Sequence, residues 1–270
     1  MKTWRLLRLE THNAFMNMAI DEAILHSRLA DEVPDTLRFY SWTPSAVSIG
    51  RFQKIENEVN LDECKKFGVD AVRRISGGGA VFHDTQGEIT YSVIAKTRDM
   101  NTKDFIEVYS RIYAAISEAL RVVGVSTDYS PGNMKNCPNL TVKGKKISGS
   151  AQANKKGIVL QHGTLLIDVD LPKMFTFLKV PWANSHMQVV NVAKNKITSI
   201  HNELGHRITP ETAINAIAHG FQVALNIQVV ENVQTLETEL TSRELELAQK
   251  LYKEKYSTKE WNYNGKSKIG

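Results

Sequence analysis

The order of apolar and polar positions along the chain predicts helices and strands that are interspersed rather than arranged in strict β-α-β units. Period-two patterns and short apolar runs predict strands over 36–42, 46–50, 69–74, 87–95, 141–142, 146–150, 158–161 and 165–168. Apolar residues at steps of three and four predict helices over 15–25, 60–68, 102–123, 209–221 and 241–253. This order favours an α+β fold in which helices flank a mixed or antiparallel sheet.

The chain shows no internal boundary that would divide it into several domains. It has 270 residues and contains neither an internal repeat nor a low-complexity linker. A chain of this length can bury a substantial core. We therefore expect one compact domain over 1–250 and a short C-terminal extension over 251–270.

Composition excludes several classes of protein. No run of about 18 apolar residues predicts a membrane span, and the N-terminus lacks the pattern of a secretory signal, so we expect a cytoplasmic protein that contacts no membrane. The net charge of +5 comes from scattered lysines and forms no basic helix with interleaved aromatic residues, which argues against nucleic acid. The two cysteines, Cys64 and Cys137, form neither a disulfide framework nor a zinc motif, and we expect no metal held by side chains.

A glycine triplet is the most informative feature of the sequence. Residues 73–84 read RRISGGGAVFHD, so two arginines precede the triplet and a His-Asp pair follows it. Consecutive glycines cost backbone entropy, but they let backbone N–H groups approach an anion closely. Arginine forks bind phosphates and carboxylates well. The segment is therefore either an anion-binding loop or a glycine-rich hairpin turn, and it matches neither common nucleotide-binding glycine motif.

Two further segments place polar groups among small or apolar residues. Residues 142–152 read VKGKKISGSAQ, and Lys146 adjoins the apolar Ile147 and a series of small residues that leave room for a ligand. A cation there can neutralise charge that develops in a reaction. Residues 159–166 read VLQHGTLL, in which His162 and Gly163 interrupt an apolar strand. Such a histidine either has a structural hydrogen-bond partner or faces an open site.

These three segments, in this order, resemble the lipoate–protein ligase A family within the wider group of biotin and lipoate ligases and lipoyl or octanoyl transferases. The similarity runs from NMAIDEA near the start to KYSTKEWNY near the end. It implies a mixed sheet flanked by helices, related to biotin ligase cores and to class II tRNA synthetases. It also implies that 1–250 is the catalytic domain and that the accessory C-terminal domain of two-domain members is absent.

The resemblance implies a lipoate–protein ligase. In that reaction ATP and lipoate form lipoyl-AMP with the help of Mg²⁺, and the lipoyl group then passes to a lysine of a carrier protein. The carriers would be the E2 subunits of 2-oxoacid dehydrogenases and the glycine cleavage H protein. Some family members carry the accessory domain on a separate polypeptide, so an accessory subunit is a further expected partner.

The resemblance also assigns roles to particular residues. Lys146 would be the central catalytic cation, in contact with the carboxylate and the α-phosphate. Arg73 would hold the anionic groups. The remaining ligand-binding positions would be Ser76, Gly77, Gly78, Gly79, Ala80, Phe82, His83, Asn139, Ser148, Gly149, Ala151, His162 and Gly163. The aromatic residues Phe39, Trp42 and Phe52 are candidate walls for the acyl chain, although core packing is the favoured interpretation for each of them taken singly.

The alternative within the same superfamily is an octanoyltransferase, which moves octanoyl from acyl carrier protein to a lipoyl domain without ATP. Such enzymes use a cysteine thioester, and Cys137 lies nine residues before Lys146. The unbroken GGGA and the strand that contains Asn139 favour the ligase, with Cys137 as an incidental loop residue. The intact Lys146 and glycine triplet argue against a binding module without activity, and biotin is a less suitable substrate than lipoate.

Overall fold

The computed structural model describes residues 2–132, 137–230 and 239–269. Its strands are β1 (Lys2–His12), β2 (Thr36–Trp42), β3 (Ala46–Ile49), β4 (Asp70–Arg73), β5 (Val81–His83), β6 (Glu88–Lys96), β7 (Asp128–Ser130), β8 (Asn139–Val142), β9 (Lys145–Lys155), β10 (Ile158–Leu166) and β11 (Ile227–Val230). Its α-helices are α1 (Ala14–Leu29), α2 (Ile55–Glu58), α3 (Leu61–Phe67), α4 (Phe105–Val122), α5 (Leu171–Phe177), α6 (His186–Ala193), α7 (Ile200–Leu204), α8 (Pro210–Leu225), α9 (Ser242–Leu251) and α10 (Lys259–Asn264). A 3₁₀ turn covers Thr97–Met100, and a π-helical turn covers Tyr252–Tyr256.

The strands form one large mixed sheet and one small one. The large sheet has the order β11-β1-β2-β6-β10-β9-β8-β7. Its first two pairings, β11 with β1 and β1 with β2, are parallel, and the others are antiparallel. The small sheet has the order β4-β3-β5, with β3 parallel to β4 and antiparallel to β5. The predicted mixed sheet flanked by helices is therefore confirmed.

Helices cover both faces of the large sheet. Successive residues of a strand point to opposite faces, so neighbouring residues belong to different cores. On β10, Val159 belongs to the core beneath α4 and α8, whereas its neighbour Leu160 belongs to the core beneath α1 and α9. The strands at the centre of the sheet, β6 and β10, are therefore buried on both faces. The small sheet has a separate core, which includes Phe82 and Phe177.

Side chains that cap the N-termini fix where the main helices begin. The side chains of Asn13, Asp104 and Thr209 accept hydrogen bonds from the first turns of α1, α4 and α8. At α9, Thr241 and Glu244 form a reciprocal capping box. Glu244 also binds Arg5 of β1 through two contacts of 2.7 and 2.9 Å, both fully buried. These contacts fasten the C-terminal helices to the large sheet.

The C-terminal segment packs closely against the rest of the chain. Lys255 donates to Glu22 of α1, and the indole of Trp261 donates to the Arg73 carbonyl at 2.8 Å. The domain boundary at residue 250 stays a prediction. Within the described residues, no helix is both long and apolar enough to cross a membrane.

Candidate active site

A cleft of about 130 Å³ opens between the large sheet, the small sheet and the glycine-rich loop, here defined as residues 75–80. β9 and β10 contribute Gly149, Ala151 and His162 to its wall, and the glycine-rich loop contributes Gly78 and Gly79. The three segments that the sequence analysis singled out thus meet at one place. Cys137 and Lys146 line the same cleft.

Arg74 organises the glycine-rich loop. Its Nη2 atom donates to the carbonyls of Gly77 and Gly79, both at 2.7 Å, and its Nη1 atom donates to Ser48 at the end of the small sheet. Burial lowers the pKa of Arg74 to about 10, although the nearby Cys137 counteracts this. The guanidinium is therefore a buried cation that lines the cleft and holds the loop from within.

The loop also approaches the small sheet more closely than any side chain would allow. A Cβ atom on Gly50 would lie 2.1 Å from the carbonyl oxygen of Gly78. Gly78 itself has φ = +85°, a conformation that favours glycine. Glycine is therefore required at both positions to bring the loop against β3.

A chain of buried hydrogen bonds connects α1 to Arg74. Asp21 contacts Nδ1 of His162 at 3.0 Å, and Nε2 of His162 contacts the Ser76 hydroxyl at 2.6 Å. Ser76 accepts from Nε of Arg74 at 3.1 Å. Arg38 and Tyr40 donate to the same Asp21 carboxylate. This series of hydrogen bonds fixes the side chains behind the cleft.

The charges along this chain follow from burial and from the partners. Burial opposes ionisation of Asp21, but hydrogen bonds and charge from His162 and Arg38 outweigh it, so the pKa of Asp21 is lowered. Burial lowers the pKa of His162. A neutral His162 next to an ionised Asp21 donates from Nδ1 and accepts from the Ser76 hydroxyl at Nε2. Ser76 thereby presents its lone pair to Arg74.

Lys146 lies directly over Gly149. A Cβ atom on Gly149 would approach Cε and Nζ of Lys146 to 2.4 Å, so glycine provides the space that the lysine occupies. Lys146 stands at the start of β9, where its backbone also bonds to Lys196 and Thr198. The side chain is reached by solvent through the cleft, yet surrounding protein atoms desolvate it and lower its pKa.

The contact between Lys146 and Gly149 yields a prediction that separates activity from stability. In Gly149→Ala, the new methyl group displaces the flexible end of Lys146, and the backbone is not forced to move. We expect at least about a tenfold loss of enzymatic activity, while the melting temperature changes by no more than about 2 °C. Thermal unfolding and steady-state rates measure the two effects.

A double variant provides the control for Gly149→Ala. If the methyl group acts by moving Lys146, adding Gly149→Ala to Lys146→Gln should cause little further loss of activity. Full additivity of the two losses would contradict this explanation.

Cys137 brings a thiol to the cleft. Its Sγ atom lies 3.6 Å from the point that a Cβ of Gly78 would occupy, and Nη2 of Arg74 lies 3.0 Å from the same point. Negative charge on the Cys137 thiolate would raise the pKa of both Arg74 and Lys146. The side chain is exposed and forms no disulfide. Cys137 is therefore accessible from the cleft and stands beside two cationic side chains.

A second polar group, His83, is fixed at the opposite wall. Its ring stacks on Trp42 with the centroids 3.9 Å apart. Nδ1 contacts Glu88 at 2.7 Å, and Nε2 contacts the Ser48 hydroxyl at 2.8 Å. Thr90 joins the same cluster, because it donates to Glu88 and accepts from the Trp42 indole. Both ring nitrogens of His83 are therefore engaged.

The structure places Arg73 outside the cleft. Its guanidinium donates to six backbone carbonyls, which belong to Gly50, Arg51, Gln53, Trp261, Asn262 and Tyr263. The family resemblance implied that Arg73 binds anionic groups, but all of its donors face the protein backbone. Its neighbour Arg74 is the arginine that lines the cleft. Arg73 instead joins α10 to the loop that follows β3.

Arg73→Lys is expected to destabilise the fold, because an ammonium group cannot bond to six carbonyls at once. Several buried carbonyls would lose their donor, at a cost of about 2–4 kcal/mol in the free energy of unfolding. Urea denaturation measures this difference. Arg243→Lys, at an exposed arginine, is the control and should change it by less than about 0.5 kcal/mol. Unaltered stability of Arg73→Lys would contradict the structural role.

The cleft includes only part of the predicted site. Among the predicted residues, Gly78, Gly79, Ala80, His83, Lys146, Gly149, Ala151, His162, Gly163 and the alternative nucleophile Cys137 line it. Ser76 and Gly77 lie behind it as partners of Arg74. Ser148 is fully buried, and Asn139 bonds to the Cys137 carbonyl. Phe82 stacks on Phe177 in the core of the small sheet, at 5.2 Å between centroids.

One of the three candidate aromatic walls borders the cleft. Trp42 lines it, in contrast to the core position that was favoured for each of these residues. Phe39 belongs instead to the core on the other face of the sheet, and Phe52 is 89% exposed. Met18 and Tyr40 also line the cleft, although neither was predicted from the sequence. Tyr40 follows Phe39 directly on β2, so the period-two alternation was the signal that could have found it.

Comparison with known proteins decides the family. Residues 13–222 match the family model described as the lipoyl protein ligase A/B catalytic domain. The chain belongs to this family. The match extends from α1 to α8 and so includes every segment that lines the cleft. As a member of this family, the chain is an enzyme of the lipoate ligase and transferase group.

Two solved structures have the same fold along the whole chain. A bipartite lipoate protein ligase from Thermoplasma acidophilum is 30% identical and has a TM-score of 0.83, with 100% of both chains covered. A lipoate-protein ligase A bound with ATP is 31% identical and has a TM-score of 0.82, with 97% of this chain and 99% of that chain covered. Both confirm the expected architecture.

The prediction of lipoate–protein ligase activity is wrong. Eight curated relatives, 32–35% identical over 96–97% of this chain, are named Octanoyltransferase LipM. The relative from Brevibacillus brevis is 34% identical and is covered over 99% of its length, and that from Bacillus subtilis is 33% identical and covered over 98%. These names support the alternative that the sequence analysis ranked second. Fold and glycine motif do not separate the two activities.

Proposed function

We propose that this protein is an octanoyltransferase that moves an octanoyl group from acyl carrier protein to a lysine of a lipoyl domain through a thioester on Cys137. The observation that carries the proposal is the position of Cys137, whose thiol opens into the cleft beside Arg74 and Lys146. The names of the curated relatives agree with it. The accepting lipoyl domains would include those of E2 subunits and the glycine cleavage H protein.

The first half-reaction transfers the acyl group to the enzyme. The sulfur of Cys137 attacks the carbonyl carbon of the donor thioester, the carbon–sulfur bond of the donor breaks, and the donor thiol leaves with a proton. The oxygen of the intermediate carries negative charge at this stage. Lys146 lines the cleft together with Cys137, and its ammonium group can donate to that oxygen. The N–H groups of Arg74 are already bonded to Ser48, Ser76, Gly77 and Gly79, so Arg74 contributes only its positive charge.

The second half-reaction transfers the acyl group to the carrier lysine. Its neutral amine attacks the carbonyl carbon of the Cys137 thioester, the amide bond forms, and the cysteine thiol is restored with a proton. No phosphate is activated in either step, so neither ATP nor Mg²⁺ nor lipoyl-AMP is required. Within the described ranges, no three His, Cys, Asp or Glu side chains are grouped as metal ligands would be.

The walls of the cleft suit a saturated acyl chain. Met18, Trp42 and Tyr40 provide apolar surface, and the small side chain of Ala151 leaves room for the acyl chain. The hydrogen-bonded chain from Asp21 to Arg74 keeps the loop fixed around the reacting carbonyl, which supplies orientation rather than chemistry.

Independence from nucleotide tests the proposal. We would supply octanoyl-acyl carrier protein and a lipoyl domain without ATP, and in parallel free octanoate or lipoate with ATP and Mg²⁺. The proposal predicts amide formation in the first reaction after residual nucleotide has been removed with apyrase, and none in the second. Acylation that occurs only with ATP would overturn it.

A further inference from the structure

A second cavity is strongly basic and lies next to the cleft that contains Cys137 and Lys146, which we call the acyl cleft. It has a volume of about 310 Å³ and is bounded by α1, the C-terminal segment, β9 and the start of the glycine-rich loop. Three cationic side chains line it: Arg51, Lys155 and Lys255. Among the described residues, Glu22 is the one carboxylate that does so.

The single carboxylate of this basic cavity is already engaged. Glu22 accepts from Lys255 at 2.8 Å and from the Tyr256 hydroxyl at 2.5 Å. Burial lowers the pKa of Lys255, Glu22 counteracts this, and the like charges of Arg51 and Lys155 lower it further. The three cations therefore act on one another, and their combined charge exceeds that of the carboxylate.

An aromatic ring holds two of the cations in place. Nζ of Lys255 lies 4.3 Å from the ring centroid of Trp261, and the guanidinium carbon of Arg51 lies 4.7 Å from the same centroid. Cation–π contacts of this kind orient charged groups without neutralising them. The basic cavity is thus preorganised for a compact anion, and its guanidinium fork suits a phosphate group.

Two elements line both cavities and so connect them. On β9, Ala151 lines the acyl cleft, whereas Ala153 and Lys155 line the basic cavity. At about 3.3 Å per residue, Lys155 lies roughly 13 Å along the strand from Ala151. In the glycine-rich loop, Ile75 lines the basic cavity and Gly78 lines the acyl cleft. A flexible chain can therefore run from the reacting thiol to the three cations.

We propose that the basic cavity binds the phosphate ester of a phosphopantetheine thioester, the arm on which an acyl carrier protein holds its acyl group. This inference rests on the proposed function, because it identifies the recognised part of the acyl donor. Such an arm ends in a thioester and begins at a phosphate. The acyl cleft takes the thioester end, and Arg51 and Lys155 bind the phosphate.

Calorimetric binding of two small probes tests the site without any reaction. 4′-Phosphopantetheine and pantetheine differ only in the phosphate. We expect the wild-type protein to bind the phosphorylated probe at least about tenfold more tightly. Arg51→Gln and Lys155→Gln should each weaken its binding by about tenfold and leave pantetheine binding unchanged. Lys253→Gln, at an exposed lysine on the same C-terminal segment, removes the same charge and should alter neither.

The outcomes separate this inference from the proposed function. Equal binding of both probes by the wild-type protein would overturn the inference, as would a preference that survives in both Arg51→Gln and Lys155→Gln. The inference would also be overturned if inorganic phosphate binds but 4′-phosphopantetheine binds no more tightly than pantetheine. That result would identify a site for free anions only. Because Lys155 is exposed, Lys155→Gln keeps the test valid if Arg51→Gln is unstable.

Kinetics with acylated probes complete the separation. Octanoyl-pantetheine that acylates Cys137 as fast as octanoyl-4′-phosphopantetheine would overturn the phosphate site and leave the transferase intact. A phosphate preference in binding without any acylation of Cys137 would support the site and overturn the transferase.

Discussion

Cys137→Ser should abolish octanoyl transfer, with a decrease in rate of roughly 10³-fold or more. A hydroxyl group is a much weaker nucleophile than a thiol at neutral pH, and no other described side chain in the cleft replaces the thiol in the proposed reaction. The fold should not change, because the Cys137 side chain is exposed. Transfer from octanoyl-acyl carrier protein to a lipoyl domain, followed by mass spectrometry of the lipoyl domain, measures the loss.

The second cysteine provides a matched control. Cys64 is buried in the core of the small sheet, and burial raises the pKa of its thiol to about 11. Cys64→Ser should retain transfer to within about twofold of the wild-type protein wherever it folds. Transfer that survives Cys137→Ser would exclude the thioester route.

Lys146→Gln should lower the transfer rate by about 10²–10⁴-fold while the fold stays intact. Its ammonium group is the cation that lies over Gly149 at the reacting end of the cleft. Glutamine has similar polarity but carries no charge to stabilise the intermediate. Steady-state rates and far-ultraviolet circular dichroism measure activity and fold. Lys145→Gln, one residue earlier on β9 and outside the cleft, should leave the rate unchanged and serves as the control.

The pH dependence of transfer gives a second measurement on Lys146. Desolvation favours the neutral amine and lowers the pKa of Lys146 below its usual value of 10.5. The cation is therefore present at low pH and is lost as the pH rises through this lowered pKa. Activity should begin to fall on the alkaline side at a lower pH than an ordinary lysine would give. In Lys146→Arg the residual activity should persist to higher pH, and an unchanged alkaline fall would contradict the assignment.

Local patterns in the sequence predicted most of the central fold. The apolar spacing that gave the helix over 102–123 corresponds to α4, whose buried face includes Val108, Ile112 and Ile116. The period-two alternation gave β2 and β6. The pattern did not give β1, because Lys2–His12 carries charged residues such as Arg5, which is buried against the distant Glu244. A partner 239 positions away is not visible in a local pattern.

The site was predictable to the extent that its residues are consecutive. The glycine triplet, Lys146 and His162 come from three motifs, and each motif reaches the cleft. The choice between Arg73, the last residue of β4, and Arg74, which follows it, was not predictable, because the sequence does not show which of two adjacent side chains faces the cleft. Only the fold shows that α10 provides carbonyls for the first and the glycine-rich loop provides carbonyls for the second. The role of Asp21 likewise depends on how α1 packs over β10.

The difference between ligase and transferase was the least predictable property. Lipoate ligase structures and octanoyltransferase relatives both match this chain over nearly its whole length, so the overall similarity does not decide between the two activities. In the proposed reaction Cys137 makes the difference, but no local pattern in the sequence distinguishes it. Its importance becomes visible only when its thiol is placed in the cleft beside Arg74 and Lys146.

The central claim is that Cys137 carries the acyl group, and an intact-mass measurement tests it most directly. The wild-type protein is mixed with octanoyl-acyl carrier protein in the absence of nucleotide and of any acceptor, and its mass is recorded within seconds. The account predicts an increase equal to one octanoyl group, located on Cys137 by peptide mapping and removed by hydroxylamine. An unmodified enzyme under these conditions, together with formation of octanoyl-AMP once ATP is added, would contradict it.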